Sequence, residues 1–187
     1  MLYLLTPRLI LRCWYATDVD ALFELCSDER VMKFVGRGHA WTYERCQAFI
    51  QHNQRMLPEH GYCQWAVITR DCSRLIGFCG FVPVGDAAGD GPVRRPRTAG
   101  SGVTELEIGW RLAWDAQKRG YAREAAGAAL RWAREAGVHR VYATVQAQNS
   151  PSIRLAERIG MTLLDSRLSL GRETHRYGLT LSGSDGA

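Results

Sequence analysis

The sequence has no apolar run approaching the roughly 18 residues that a membrane-spanning helix requires. Its opening residues, from Met1 to Arg8, also lack the basic segment and the long apolar segment of a signal peptide. These absences predict a protein with no membrane partner, and we expect it in the cytoplasm.

Cross-linking and metal-binding patterns are missing as well. The six cysteines form no Cys-x-x-Cys pair, and the five histidines include no pair at the spacing of helical or zinc-finger metal ligands. A chain of 187 residues can bury a hydrophobic core large enough to be stable without disulfide bonds. We therefore expect reduced, mostly buried cysteines and no metal site.

The composition that is present is that of a globular protein. Apolar residues make up 46% and charged residues 23% of the chain, and the length predicts one domain over residues 1–187. The net charge of +5 would attract nucleic acid, an acidic protein surface or a phosphorylated cofactor equally well. Because no stacking-aromatic or recognition-helix pattern accompanies this charge, nucleic acid is the least favoured of these partners.

The first half of the chain predicts strands and helices in turn. Charged and apolar side chains alternate over residues 8–12, which indicates an edge strand. Helical spacing follows Asp18, a shorter stretch follows at 31–34, and Thr42 caps a longer helix that we expect to end at Pro58. Residues 63–68 and 75–82 predict two antiparallel strands.

The second half predicts a β-α-β unit and a closing hairpin. Residues 103–112 and 141–145 read as parallel strands joined by a helix over 120–136, and a further helix covers 150–158. The hairpin pairs 161–170 with 174–182 across Gly171. Between the halves, the Gly-, Pro- and Arg-rich segment 85–102 predicts a flexible insertion, and the tail is expected to fray from Gly183.

One segment has the pattern of an anion site. The run from Gln117 to Ala122 lies between a strand and a helix, and the first turn of a helix has free N–H groups. Gly120 allows close backbone approach, and Lys118, Arg119 and Arg123 add positive charge. The alternatives are a phosphate site, preferably for a pyrophosphate, or a plain strand-to-helix turn with solvated basic residues.

Four segments together resemble a known family. They cover residues 5–12, 107–112, 117–122 and 149–161, and their order and spacing resemble the GNAT superfamily of acyl-CoA-dependent N-acetyltransferases, in particular its RimJ/RimL-like branch. The resemblance extends over nearly the whole chain.

The resemblance implies an α/β (α+β) fold. It has a mixed, mostly antiparallel, twisted sheet of about six to seven strands flanked by helices. The parallel central strands splay apart to hold acetyl-CoA, the co-substrate. By the same resemblance, pantetheine and phosphates would contact Trp110, Arg111, Leu112, Gln117, Lys118, Arg119, Gly120, Tyr121, Ala122, Arg123 and Asn149.

Acetyl transfer requires a neutral amine, so a base assists it. Glu107 alternates with Leu106 and Ile108 and is predicted to face the acceptor, taking the proton through a water; the alternative is a surface carboxylate paired with an arginine. Glu105 shares this face and is the second candidate. A backbone N–H near Trp110 would stabilise the oxyanion.

A hydroxyl can protonate the departing thiolate. Many GNAT enzymes have a tyrosine in the last helix, where this chain has Ala156, whereas Ser152 matches a serine of the RimL-like branch with a proposed acid role. Ser152 is thus the predicted acid, or alternatively a helix-start cap.

The predicted function is direct transfer of an acetyl group from acetyl-CoA to a primary amine in a ternary complex. The acceptor favoured by the resemblance is a protein or peptide N-terminus. A small-molecule amine (an aminoglycoside, polyamine or amino acid) and a non-catalytic acyl-CoA-binding module are the alternatives. Acceptor choice is assigned to residues 28–41 and 171–175, with Phe34, Val35, Arg172 and His175 as candidates. The protein is expected to be a monomer or a homodimer.

Overall fold

A computed structural model describes residues 3–84 and 105–181. The predicted insertion at 85–102 and the predicted frayed tail from Gly183 lie outside these residues. The strands are β1 Tyr3–Leu5, β2 Leu9–Arg12, β3 Gln64–Thr69, β4 Leu75–Val82, β5 Glu105–Leu112, β6 Arg140–Gln146, β7 Thr162–Ser169 and β8 Arg172–Thr180. The α-helices are α1 Val19–Ser27, α2 Glu29–Met32, α3 Tyr43–His60, α4 Tyr121–Glu135 and α5 Ser150–Arg158.

One twisted, mostly antiparallel sheet carries all the described strands. Their order is β1-β2-β3-β4-β5-β6-β8-β7, which gives eight strands where about six to seven were predicted from the sequence. The additional strand is β1, whose three residues pair with β2 through a tight turn at 6–8. A segment of three residues is too short to show the alternation of apolar and polar side chains that predicts a strand. Its pairing with β2 is what defines it as one.

The central strands β5 and β6 are parallel and diverge after three residue pairs. Pairing joins Glu105 to Arg140, Leu106 to Val141 and Glu107 to Tyr142, and then stops. On its other side β5 stays paired with β4 as far as Leu112. The predicted splay is therefore present, and it begins directly after Glu107.

Several element boundaries differ from the sequence-based expectation by one or a few residues; the short helical stretch expected at 31–34, for example, is α2 at Glu29–Met32. Helix α3 starts after Thr42, whose hydroxyl accepts from the Arg45 N–H, but it passes Pro58 and ends at His60. The helix continues past Pro58 because a proline removes only one helical hydrogen bond. It ends at His60 because Gly61, with a φ of +77°, takes the left-handed conformation that closes a helix. Arg172, predicted in the hairpin turn, belongs to β8.

Helices cover both faces of the sheet. Helices α4 and α5 pack on one face, where alanines of α4 allow close approach to Leu106, Ile108 and Leu112. Helices α1 to α3 pack on the other face around Trp41 and Phe78. Cys26, Cys46, Cys63 and Cys79 are buried, and all six cysteines are free thiols.

Within the described ranges no helix is both long and apolar enough to cross a bilayer. The same ranges contain no group of three or more side chains placed to hold a metal ion.

Helix α4 is tied to the β1–β2 turn by one carboxylate. Glu124 accepts from the Thr6 hydroxyl at 2.6 Å, from the Arg8 N–H at 2.8 Å and from Arg8 Nε at 2.7 Å. The Arg8 guanidinium also donates to the Arg119 carbonyl at 3.0 Å and lies over the Tyr121 ring. These bonds fix the first turn of α4 and the loop before it.

Replacing Glu124 with glutamine should make the stability of the protein less dependent on pH. Burial acts to raise the pKa of Glu124, but the hydrogen bonds from Thr6 and Arg8 outweigh it and lower that pKa below its usual value. The carboxylate therefore stabilises the fold above about pH 4.5, and this stabilisation is lost as the pH falls through the lowered pKa.

We expect E124Q to lower the free energy of unfolding by about 1–3 kcal/mol at neutral pH, and by much less near pH 3. Urea denaturation of both proteins at the two pH values measures this difference. The exposed Glu135 of the same helix is the matched control, and E135Q should change little at either pH. An equal loss for E124Q at both pH values would contradict the assignment.

Candidate functional site

A cavity of about 140 Å³ lies where β5 and β6 separate. It crosses the sheet, since its walls come from both strands, from the start of α5, from the loop after α2 and from the β7–β8 turn. The described lining residues are Phe34, Val35, Gly36, Gln64, Phe78, Ile108, Gly109, Trp110, Arg111, Ala143, Thr144, Val145, Gln146, Asn149, Ser152, Ser169, Leu170 and Thr174.

The divergence exposes backbone that a ligand can bind. From Ile108 to Leu112, β5 is paired with β4 on one side and has no β6 partner on the other. Backbone amides need hydrogen-bond partners, and an extended ligand with its own amides can supply them as a strand would. The Leu112 carbonyl already accepts from the Gln117 side chain at 3.1 Å, so the free edge is mainly 108–111.

The loop before α4 directs N–H groups outward. Gly120 precedes the helix with a φ of +81°, Lys118 has a φ of +61°, and no side chain caps the helix. Among the described residues, no backbone carbonyl accepts from the N–H groups of 118–123. The Gln117 N–H differs, since it donates to the Trp114 carbonyl at 3.3 Å. Successive free N–H groups at a helix start form an anion site.

Positively charged side chains lie next to these N–H groups in the chain. Lys118, Arg119 and Arg123 are exposed, whereas Tyr121 and Ala122 are half-buried. The helix dipole adds positive potential at the same place. The segment can therefore bind a doubly charged group such as a pyrophosphate.

Ser152 and Asn149 meet the cavity from the start of α5. The Asn149 amide oxygen accepts from the Ser152 N–H at 3.3 Å and so caps the helix. The Ser152 hydroxyl accepts from the Trp110 indole N–H at 3.2 Å, across the gap between the strands. Because that hydroxyl accepts from the indole, its own proton is available to a group in the cavity.

The two candidate carboxylates have different surroundings. Glu107 is 3% exposed and occupies the last paired position before the divergence. Glu105 is exposed, and its carboxylate accepts from the Tyr142 hydroxyl at 3.1 Å. Neither is among the described residues that line the cavity, although Ile108, which follows Glu107, is. A water would thus have to connect Glu107 with the acceptor.

A clasp joins the two segments assigned to acceptor choice. Arg172 donates to the carbonyls of Lys33 and Arg37, at 3.1 and 2.8 Å, and to the Gln146 amide oxygen at 3.1 Å. The Gln146 amide group donates to the Gly36 carbonyl at 2.8 Å. Phe34 and Val35 line the cavity beside this clasp, whereas His175 packs against Tyr177 and is absent from the described lining.

Gln64 is a site residue that the sequence analysis missed. Gln64 is paired with Gly80 on β4, and Gly80 is paired with Gly109 on β5. Because neither glycine has a side chain, the Gln64 side chain can extend across these positions and line the cavity. A β-carbon at Gly109 would lie 2.8 Å from Gln64 Nε2, which explains the glycine. The sequence signals this site only by a glycine inside each of two predicted strands, Gly80 and Gly109. The register that aligns these glycines with Gln64 cannot be read from the sequence.

Comparison with known proteins identifies the family. A model of the acetyltransferase (GNAT) domain matches residues 8–162. An uncharacterized N-acetyltransferase, YnaD, of Bacillus subtilis (strain 168) is 34% identical over 161 residues, which cover 86% of this chain and 82% of that protein.

Solved structures agree on the fold. A GNAT-family acetyltransferase from Bacillus anthracis superposes with a TM-score of 0.76 at 28% identity, over 95% of this chain and 98% of the other. RimL, a ribosomal L7/L12 α-N-protein acetyltransferase in complex with coenzyme A, superposes with a TM-score of 0.74 at 16% identity, over 96% and 98%. The RimL likeness supports the architecture alone.

Proposed function

Because the chain belongs to the GNAT acetyltransferase family, it is an acetyl-CoA-dependent N-acetyltransferase, and we propose that its acceptor is a protein or peptide N-terminal amine. We further propose that residues 1–187 act as one domain, in the cytoplasm, as a monomer or a homodimer. Leu163, Leu164 and Leu168, which are exposed on the edge strand β7, would be the surface for a homodimer.

The proposal rests on two stretches of backbone whose hydrogen-bonding groups have no backbone partner among the described residues. They are the N–H groups of 118–123 and the edge of β5 that has separated from β6. We assign the pyrophosphate of acetyl-CoA to the N–H groups of 118–123 and its pantetheine amides to the open edge of β5 at Trp110 and Arg111. Leu112, also assigned to pantetheine from the sequence, has its carbonyl bonded to the Gln117 side chain. Asn149 caps α5 with its amide oxygen, so its NH₂ group would bind the pantetheine arm. Arg8 supports this arrangement because it anchors the loop carbonyl at Arg119.

The proposed reaction is direct attack. The amine nitrogen forms a bond to the thioester carbonyl carbon, the tetrahedral oxyanion accepts from a backbone N–H near Trp110 or Arg111, and the C–S bond then breaks. Glu107 takes the amine proton through a water, and the Ser152 hydroxyl passes a proton to the leaving thiolate while taking one back from solvent water. None of the six cysteines is among the described cavity residues, which favours direct attack over an acyl-cysteine intermediate.

A thiol-release assay tests the acceptor. Acetyl-CoA is incubated with the protein and with panels of peptides, aminoglycosides, polyamines and amino acids. We expect thiol release with peptides that have a free N-terminus and none when that terminus is blocked. Release only with small amines would replace the proposed acceptor. Binding of acetyl-CoA without release for any amine would instead support the non-catalytic module.

Ser152→Ala should slow turnover and spare cofactor binding. Removing the acid raises the barrier to C–S cleavage, and we expect kcat to fall by about tenfold to 100-fold, less than the full range for acid catalysis, because a thiolate leaves without a proton. Stopped-time assays give kcat, and calorimetric titration gives the Kd for acetyl-CoA.

Trp110→Phe is a companion variant for this change, because it keeps an aromatic side chain but removes the indole N–H that donates to Ser152, together with the five-membered ring that carries it. Its kcat should lie between those of the parent and S152A. An unchanged kcat in S152A would show that the hydroxyl takes no part in proton transfer; the alternative role as a helix-start cap is already wrong, because Asn149 caps α5.

A further inference from the structure

We propose that the Arg111 guanidinium binds a carboxylate of the acceptor, so that the preferred substrate is an amine with a carboxylate a few bonds away. For a peptide this is an N-terminus that begins with an acidic residue, and for a small molecule it is an amino acid. The proposal rests on the function proposed above and names the chemistry of its acceptor.

Arg111 lies in the cavity wall on the face covered by α1 to α3. Its guanidinium carbon is 4.4 Å from the centroid of the Trp41 ring and 4.9 Å from that of Phe78. Phe78 is its neighbour across the β4–β5 pairing and lines the same cavity. Stacking on two rings holds the planar group in one place and keeps water away from it.

The hydrogen bonds of this guanidinium are incomplete. Nε is buried and has no hydrogen-bond partner among the described atoms. Nη1 reaches only the Cys26 sulfur, at 3.5 Å, which is a weak acceptor. A buried donor without a partner costs free energy, and a carboxylate is the ligand that fits an arginine fork in two-point contact.

The charge of Arg111 is also poorly balanced. Burial lowers its pKa, but a guanidinium remains protonated at neutral pH. In the described part of the chain, no carboxylate lies within ion-pair distance of it. A hydrogen bond from Cys46, aided by the charge of Arg111, lowers the pKa of the Cys26 thiol to about 7. A buried charge without a carboxylate partner is costly, and a carboxylate ligand would supply that partner.

The position suits an acceptor rather than the cofactor. Alternation along β5 puts Arg111 on the face opposite to Trp110, whose indole contacts Ser152. Beside both residues β5 and β6 have parted, and the described cavity there has walls on both faces of the sheet. An acceptor held by Arg111 would therefore present its amine to the thioester from the side opposite to the proposed acid.

The test compares isosteric acids and amides as acceptors. In the peptide arm, C-terminally amidated peptides that begin with Asp are compared with the same peptides beginning with Asn, and those beginning with Glu with those beginning with Gln. In the small-molecule arm, glycine and β-alanine are each compared with their carboxamides. In the parent protein we expect kcat/KM to favour each acid over its amide by about tenfold or more in at least one arm, and that arm identifies the source. In Arg111→Gln this preference should fall to near equality, and Arg111→Lys should retain part of it.

Arg45→Gln is the matched control, because Arg45 stacks on the same Trp41 ring at 4.8 Å and is not among the described cavity residues. R45Q should keep the preference, and thermal unfolding shows whether R111Q is folded. Equal rates for acids and amides in the parent, or an undiminished preference in R111Q, would overturn the proposal.

Failure of the enzyme function has a separate signature. If no amine releases thiol, calorimetric titration of the coenzyme A complex with the same pairs decides the question without turnover. Tighter binding of the acids, lost in R111Q, would keep Arg111 as a carboxylate site while the acetyltransfer proposal fails. Equal binding of acids and amides would reject both.

Discussion

Gly120→Asp is expected to weaken acetyl-CoA binding about 100-fold, the equivalent of about 2.7 kcal/mol. The substitution places a carboxylate among the free N–H groups of residues 118–123, where the proposed pyrophosphate binds. That carboxylate repels the phosphates and also competes for the same donors. Calorimetric titration with acetyl-CoA measures the change.

Two matched variants separate charge from backbone effects. Gly120→Asn introduces a side chain of the same shape at the same φ of +81°, where a β-carbon would lie 3.3 Å from Arg8 Nη2. We expect it to lose less than about tenfold, since asparagine tolerates this conformation and carries no charge.

Gly137→Asp makes the same change at the other end of α4, at a φ of +75°, where nothing outside the neighbouring residues lies within 4 Å of the added β-carbon. It should leave acetyl-CoA affinity unchanged. If G120D binds as tightly as G137D, the phosphates lie elsewhere and the cofactor assignment is wrong.

Glu107→Gln is expected to lower kcat about 100-fold or more, with little change in the Kd for acetyl-CoA. Glutamine keeps the shape of a side chain that is 3% exposed, so packing is preserved while the ability to accept a proton is lost. The effect should be larger for a lysine-type amine, with a pKa near 10.4, than for an α-amine near 7.7–8.0, because the former has more need of a base.

Glu105→Gln is the matched control on the same strand and face. Its side chain is exposed and bonded to the Tyr142 hydroxyl, and E105Q should keep the parent kcat. Parent activity in E107Q together with a loss in E105Q would transfer the role to Glu105. Full activity in both would mean that neither carboxylate acts as the base.

Much of the architecture was predictable because it depends on local chemistry. The Thr42 cap and the strand β6 each depend on signals that act over a few residues, and each is present in the structure. The turn at 117–122 was predictable for the same reason, because a glycine directly before a helix is a local signal; its role as a phosphate site stays a prediction. Where a signal was misread, as at Pro58, a stronger neighbouring signal determined the helix end.

The parts of the site that were not predictable depend on register. Gln64 and Gly109 are neighbours only because β3, β4 and β5 pair in a particular alignment. The clasp of Arg172 with Lys33 and Arg37 joins positions 139 and 135 residues apart, and no local pattern signals it.

The sequence by itself determined the family, the order of the strands and helices apart from β1, and the positions along the chain of Glu107, Ser152 and the loop proposed to bind phosphate. The tertiary structure alone decided where β5 and β6 part, that Trp110 bonds to Ser152, and that Arg111 is enclosed by Trp41 and Phe78. The physical reason is that caps, turns and alternation act between near neighbours. A cavity forms instead from side chains that only the folded sheet brings within contact distance.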